Sequence, residues 1–133
     1  MALNVYLFLN GRCEEAIEFY KSTLGAEVEM LMRFKDSPDP EQCPPGQEEM
    51  IMHATLKAYG SDLMMSDGMG DAPPAFQGFA ISIPADSEEA GEQVFNALAD
   101  GGRIDMPYEQ TFWAKRFGYV TDRFGVNWMV SVD

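Results

Sequence analysis

At 133 residues, with 46% hydrophobic and 12% aromatic content, the chain has enough material for one domain with a proper core and is too apolar for a disordered tail. A net charge of −13 sets its surface against phosphate backbones, which argues against nucleic acid as a partner. No apolar run approaches the roughly 20 residues of a membrane span. The start lacks the basic flank and cleavage segment of a signal peptide, and Cys13 and Cys43 lack metal-type spacing, so a cytoplasmic protein without a membrane partner is expected.

Residues 4–9 alternate as a strand that is apolar on both faces, which predicts a central position. Asn10-Gly11 makes a turn. A helix follows over 12–24, with Cys13, Ala16, Ile17, Tyr20 and Leu24 at helical spacing and Gly25 as its stop. Residues 27–34 read as a second strand. Pro38, Pro40, Pro44, Pro45 and Gly46 mark 36–48 as an irregular acidic loop. Strands are predicted over 49–58, with Ile51, His53, Thr55 and Lys57 on one side, and over 62–66.

Gly68 to Ala75, rich in Gly and Pro, reads as a linker. Residues 78–83 form the next strand, which Pro84 stops. Asp86 or Ser87 caps a helix to about residue 100, with Ala90, Val94, Ala97 and Leu98 inward. Strands over 103–108, 113–121 and 127–132 complete the chain, the last two joined by the turn Asp122-Arg123-Phe124-Gly125.

The order strand, helix, three strands therefore occurs twice. Val5, Leu7 and Leu9 recur as Phe79, Ile81 and Ile83, 74 positions later, and Glu14-Glu15-Ala16 recurs as Glu88-Glu89-Ala90. The expected fold is α+β: one domain, 1–133, of two tandem βαβββ modules, about 1–67 and 76–133, joined by linker 68–75. The two mixed sheets would close into a curved cup with helices outside.

Several further stretches mark the chain. They are Cys13-Glu14-Glu15-Ala16-Ile17-Glu18-Phe19-Tyr20, His53-Ala54-Thr55-Leu56, Leu63-Met64-Met65-Ser66-Asp67, Thr111-Phe112-Trp113 and Asp122-Arg123-Phe124-Gly125-Val126-Asn127-Trp128. With these, the chain resembles the PhnB-like branch of the glyoxalase / bleomycin-resistance / extradiol-dioxygenase (vicinal-oxygen-chelate) superfamily over nearly its whole length. Branch members are often labelled demethylubiquinone methyltransferases. A Gly-rich strand-to-helix loop, which a methyl donor of the adenosylmethionine type usually needs, is missing from the sequence. The resemblance implies a glyoxalase-like fold, a homodimer and a small-molecule ligand. Metal enzymes of the superfamily hold one divalent ion. The corresponding slots here are Val5, Leu63 or Met64, Phe79 and Met129, none of them His, Asp or Glu. Neither a metal nor a cofactor is expected.

His53, the only histidine, is the candidate general base or hydrogen-bond handle; the alternative is a structural histidine. Asp67 is a candidate to orient His53 or grip a cation, or a turn aspartate. Thr55 shares the strand face of His53. Phe112 and Trp113 are candidates to stack on a ligand, Arg116 to clamp an anion or form a surface ion pair, and Met129 to line the cup; Trp128 is read as core. Cys13, on the inward helical stripe, is read as an inert thiol. Two functions follow: a metal-independent enzyme acting on a small organic molecule, or a non-catalytic binding protein of the drug-resistance type.

Overall fold

A computed structural model describes residues 1–39, 41, 43–68 and 73–133. Pro40, read as part of the acidic loop, and residues 69–72 of the expected linker lie outside the described residues. The chain divides into two compact units, Met1–Pro74 and Ala75–Asp133.

The first unit runs β1 (Val5–Phe8), α1 (Cys13–Leu24), β2 (Glu27–Arg33), β3 (Ile51–Ala58) and β4 (Ser61–Ser66). Its sheet has the order β1-β4-β3-β2, with β1 parallel to β4 and the other pairs antiparallel. The second runs β5 (Ile81–Pro84), α2 (Glu88–Ala99), β6 (Arg103–Glu109), β7 (Arg116–Thr121) and β8 (Asn127–Val132), with the corresponding order β5-β8-β7-β6. Each is a βαβββ module, and the chain is a tandem α+β protein.

In the first unit the core lies between α1 and one face of the sheet. Cys13, Ala16, Ile17, Tyr20 and Leu24 are buried as their spacing predicts, together with Phe19. Leu7, Ala54, Leu56, Leu63 and Met65 are buried from the strands. In the second unit α2 is capped by Ser87, whose Oγ accepts from the Ala90 N–H at 3.1 Å. Its buried residues are Gly91, Val94, Phe95 and Leu98. Ala90 is exposed and Ala97 half-buried, contrary to expectation: the inward stripe is rotated towards Gly91 and Phe95.

That rotation depends on Gly118 of β7. A Cβ there would sit 2.5 Å from Phe95 Cε2. Gly118→Ala is expected to lower stability by about 1–3 kcal/mol through overpacking. Phe95→Leu in the same chain should recover part of the loss; a urea titration of the two variants and the parent checks it.

Other boundaries differ for local reasons. β1 takes the outer position of its sheet rather than a central one, and Tyr6 and Phe8 are exposed. β5 begins at Ile81 and not at residue 78, because Gly78 holds φ +82°, outside the extended region. Pro84 ends β5 from within, which an outer strand tolerates because a missing N–H costs no ladder bond there. β3 starts at Ile51, since Met50 N–H closes a turn onto the Gln47 carbonyl at 3.1 Å. Ile51 itself is buried. Trp113 lies in a loop, where the Thr111 hydroxyl accepts from the Ala114 N–H at 3.1 Å and folds the chain back before β7.

Candidate functional site

The alternation that buries Leu7 beneath α1 turns Tyr6 and Phe8 to the other face of the first sheet. Strand register carries that face across. Tyr6 stands opposite Met64, Met64 opposite Thr55 and Thr55 opposite Met30; His53 stands opposite Met32. Three polar side chains join there. The Tyr6 hydroxyl is 2.9 Å from His53 Nδ1, and His53 Nε2 is 3.0 Å from Thr55 Oγ1. The Tyr6 side chain reaches across β4 to make this contact. Its ring stacks at a tilt on Phe8, with centroids 5.0 Å apart, and lies 5.5 Å from the imidazole.

The chemistry of this set follows from its bonding. Burial pushes the Tyr6 phenol up, against an opposing pull from a hydrogen bond with Ser66, so Tyr6 is a neutral hydroxyl at neutral pH. Both nitrogens of His53 are held by side-chain oxygens and neither by the backbone. A proton can pass along such a line by exchanging tautomers.

Asp67 stands at the end of β4 with both oxygens committed to the backbone. Oδ1 accepts from the Gly11 N–H at 2.7 Å and the Cys13 N–H at 2.9 Å, and Oδ2 accepts from the Ile51 N–H at 2.9 Å. It is buried, and it ties the β1–α1 turn and the start of β3 to β4. Its hydrogen bonds go to these groups and not to His53. Burial pushes the Cys13 thiol up, with Asp67 and Glu14 adding to the effect, so it stays protonated at neutral pH. With a thiol reagent, the native protein is expected to give one reactive thiol, the half-buried Cys43, and the second only after denaturation.

The remaining candidates belong to the second unit. Phe112 is almost fully exposed, and Trp113 is half exposed with its ring edge-on to Phe112 and to Phe117. Arg116 opens β7 and pairs with Glu88 at 3.3 Å. Met129 lies between Ser82 and Tyr119 on the face opposite the buried Trp128 and Val130. Trp128 is core, and its indole N–H donates to Asp122 Oδ2 at 2.8 Å.

The slots carried over for a divalent ion do not fit one. Val5 shares the helix-facing side with Leu7, and Phe79 precedes β5. On the same strands the other face presents Tyr6, Phe8, Asp62 and Met64 in one unit and Ser82 and Met129 in the other, and the one carboxylate among them, Asp62, is ion-paired to Lys57. Among the described residues no three His, Cys, Asp or Glu side chains are grouped to hold a metal.

Tyr6 and Phe8 are the site residues that sequence reasoning passed over. Period-2 alternation in β1, taken with a polar tip on Tyr6, is the signal that points to them.

A twice-repeated βαβββ module with one face of each sheet left uncovered by its helix is a glyoxalase-like fold, shared with a glyoxalase/bleomycin resistance protein from Albidiferax ferrireducens T118 at 16% identity, TM-score 0.65 and coverage of 100% and 98% of the two chains. The chain belongs to the family described as 3-demethylubiquinone-9 3-methyltransferase, whose model matches residues 2–131. It is 40% identical to Protein YjdN of Escherichia coli (strain K12), over 99% of this chain and 95% of that protein. Among solved structures it is similar to protein PA1353 from Pseudomonas aeruginosa, at 42% identity, TM-score 0.90 and coverage of 100% and 98% of the two chains. It is also similar to a putative 3-demethylubiquinone-9 3-methyltransferase, PhnB protein, from Bacillus cereus, at 27% identity, TM-score 0.83 and full coverage of both chains. No helix among the described residues is long and apolar enough to cross a membrane.

Proposed function

We propose that this protein binds a small organic molecule on the open face of its first sheet, with the Tyr6–His53–Thr55 line as the polar contact. One observation carries the reading. The only imidazole of the chain is held between two side-chain hydroxyls on a face that α1 does not cover, among Phe8, Met30 and Met64. A few convergent polar groups in an apolar surround are what a ligand site consists of, and methionines adapt their shape to an occupant.

The same line favours a second reading, metal-independent proton transfer with His53 as the base, because an imidazole bonded to two hydroxyls can take up or release a proton at either end. Methyl transfer, which the family description names, finds no support at the β1–α1 turn, which is not the Gly-rich loop that an adenosylmethionine-type donor usually needs and whose Gly11 and Cys13 N–H groups are taken by Asp67.

A thermal-shift screen of a broad compound library tests binding. A compound that raises the unfolding temperature of the parent and not of His53→Ala supports the site; stabilisation that survives His53→Ala, or no stabilising compound at all, refutes it. Incubating the protein with the stabilising compound separates the two readings. Conversion that His53→Ala abolishes marks an enzyme, and recovery of the compound unchanged marks a binding protein of the drug-resistance type.

Two copies are further inferred to pair, as the superfamily resemblance implies; the outer strand β2 leaves Val28, Met30 and Leu31 exposed, apolar surface that a partner would cover. Light scattering should return twice the mass of one chain. Two unpaired cysteines suit a cytoplasmic setting.

A further inference from the structure

Resting on the binding reading above, we propose that the ligand class of the Tyr6–His53–Thr55 site is a neutral, flat molecule carrying a carbonyl or ether oxygen. Hydrogen-bond arithmetic gives the oxygen. In one tautomer Tyr6 donates to Nδ1 and Nε2–H donates to Thr55, which leaves the Thr55 hydroxyl hydrogen free. In the other, Thr55 donates to Nε2 and Nδ1–H donates to Tyr6, whose hydroxyl hydrogen has Ser66 as its partner. The first arrangement presents one outward donor, the Thr55 hydroxyl, and a donor asks for an acceptor.

The charges around the line give neutrality. β1 carries no charged residue, and β3 and β4 carry one each, Lys57 and Asp62, which pair with each other at 2.5 Å. On β2, Arg33 is ion-paired to Glu14, Glu27 lies opposite Lys57 at the far end of the strand from His53, and Glu29, in the bulge between Val28 and Met30, acts on Lys57 as well. A charged ligand lying against His53 would lose water without meeting a counter-charge, at a cost that a neutral one avoids. The surround gives the shape. The Tyr6–Phe8 ring pair, with Met64 beside it, offers a flat apolar shelf next to the free hydroxyl.

Three probes on one ring test the idea: acetophenone, benzoate and benzyltrimethylammonium, followed on the full chain by the ring 15N resonances of its one histidine. Acetophenone is expected to shift those resonances saturably, with the two charged probes at least about tenfold weaker. Tyr6→Phe and Thr55→Val should each weaken acetophenone about fivefold, the size of one neutral hydrogen bond, with the variants still folded under the titration conditions. Benzoate or benzyltrimethylammonium binding as tightly as acetophenone overturns the neutral class and leaves the binding site standing. No shift with any probe overturns the class as well, and the library screen then decides the site on its own. Acetophenone that stabilises the protein without moving the histidine resonances refutes both.

Discussion

Asp67→Ala is expected to lower the stability of the first unit by about 3–5 kcal/mol, since the buried N–H groups of Cys13 and Ile51 and the part-buried one of Gly11 lose this acceptor and each unmade buried bond costs about 1–3 kcal/mol. The loss reaches three elements at once. Gly11 and Cys13 belong to the turn that delivers α1, and Ile51 opens the strand that carries His53. Asp67→Asn keeps one acceptor oxygen but turns an amide N–H₂ towards the N–H groups of one side, so it should cost about half as much. Urea unfolding of both variants measures the difference. An Asp67→Ala protein as stable as the parent would show that the three bonds contribute nothing net, and that this carboxylate is kept for another purpose.

Asp122→Ala should be comparably damaging to the second unit, about 3 kcal/mol or more. Its Oδ1 accepts from the Phe124 and Val126 N–H groups at 2.9 and 3.0 Å, and Oδ2 takes the Trp128 indole N–H at 2.8 Å. The side chain closes the β7–β8 turn and anchors the largest fully buried residue. Without it, the indole N–H loses this acceptor in the core. Trp113 is half exposed and Trp128 buried, so the fluorescence change on losing this bond belongs to Trp128. Near-ultraviolet circular dichroism of Asp122→Ala should weaken as Trp128 loses its fixed orientation, and Trp128→Phe should cost less in the Asp122→Ala background than in the parent because the bond between the two is already gone.

The two aspartates show what a sequence makes legible. Asp122 stands in a turn with Phe124-Gly125 after it, and the local pattern alone reads as a hairpin closure. Asp67 also reads as a turn aspartate, but its partners lie up to 56 residues away, and no local pattern contains them. The same limit explains Tyr6. His53 and Thr55 were legible as neighbours because two residues apart on a strand means one face. The third member of the line is 47 residues distant from His53 and arrives through the parallel pairing of β1 with β4. Four residues of β1 are too few to tell an outer strand from a central one when Tyr and Phe count as apolar. Trp113 misled in the opposite sense: its β-propensity predicts a strand, and the hydroxyl of Thr111 outweighs it by supplying a turn. The helices were most legible, because α1 buries each residue that its period selects.

The parallel pair Val5↔Leu63 also dictates an order of events. β1 is the earliest strand to leave the ribosome, yet its hydrogen-bonding partner is the last strand of its unit. Until residues near Ser66 have emerged, Tyr6 has no strand to lie beside and His53 has no phenol to meet. The polar line therefore depends on the longest-range strand pairing of its unit, the kind of contact whose loop-closure entropy must be met before it contributes.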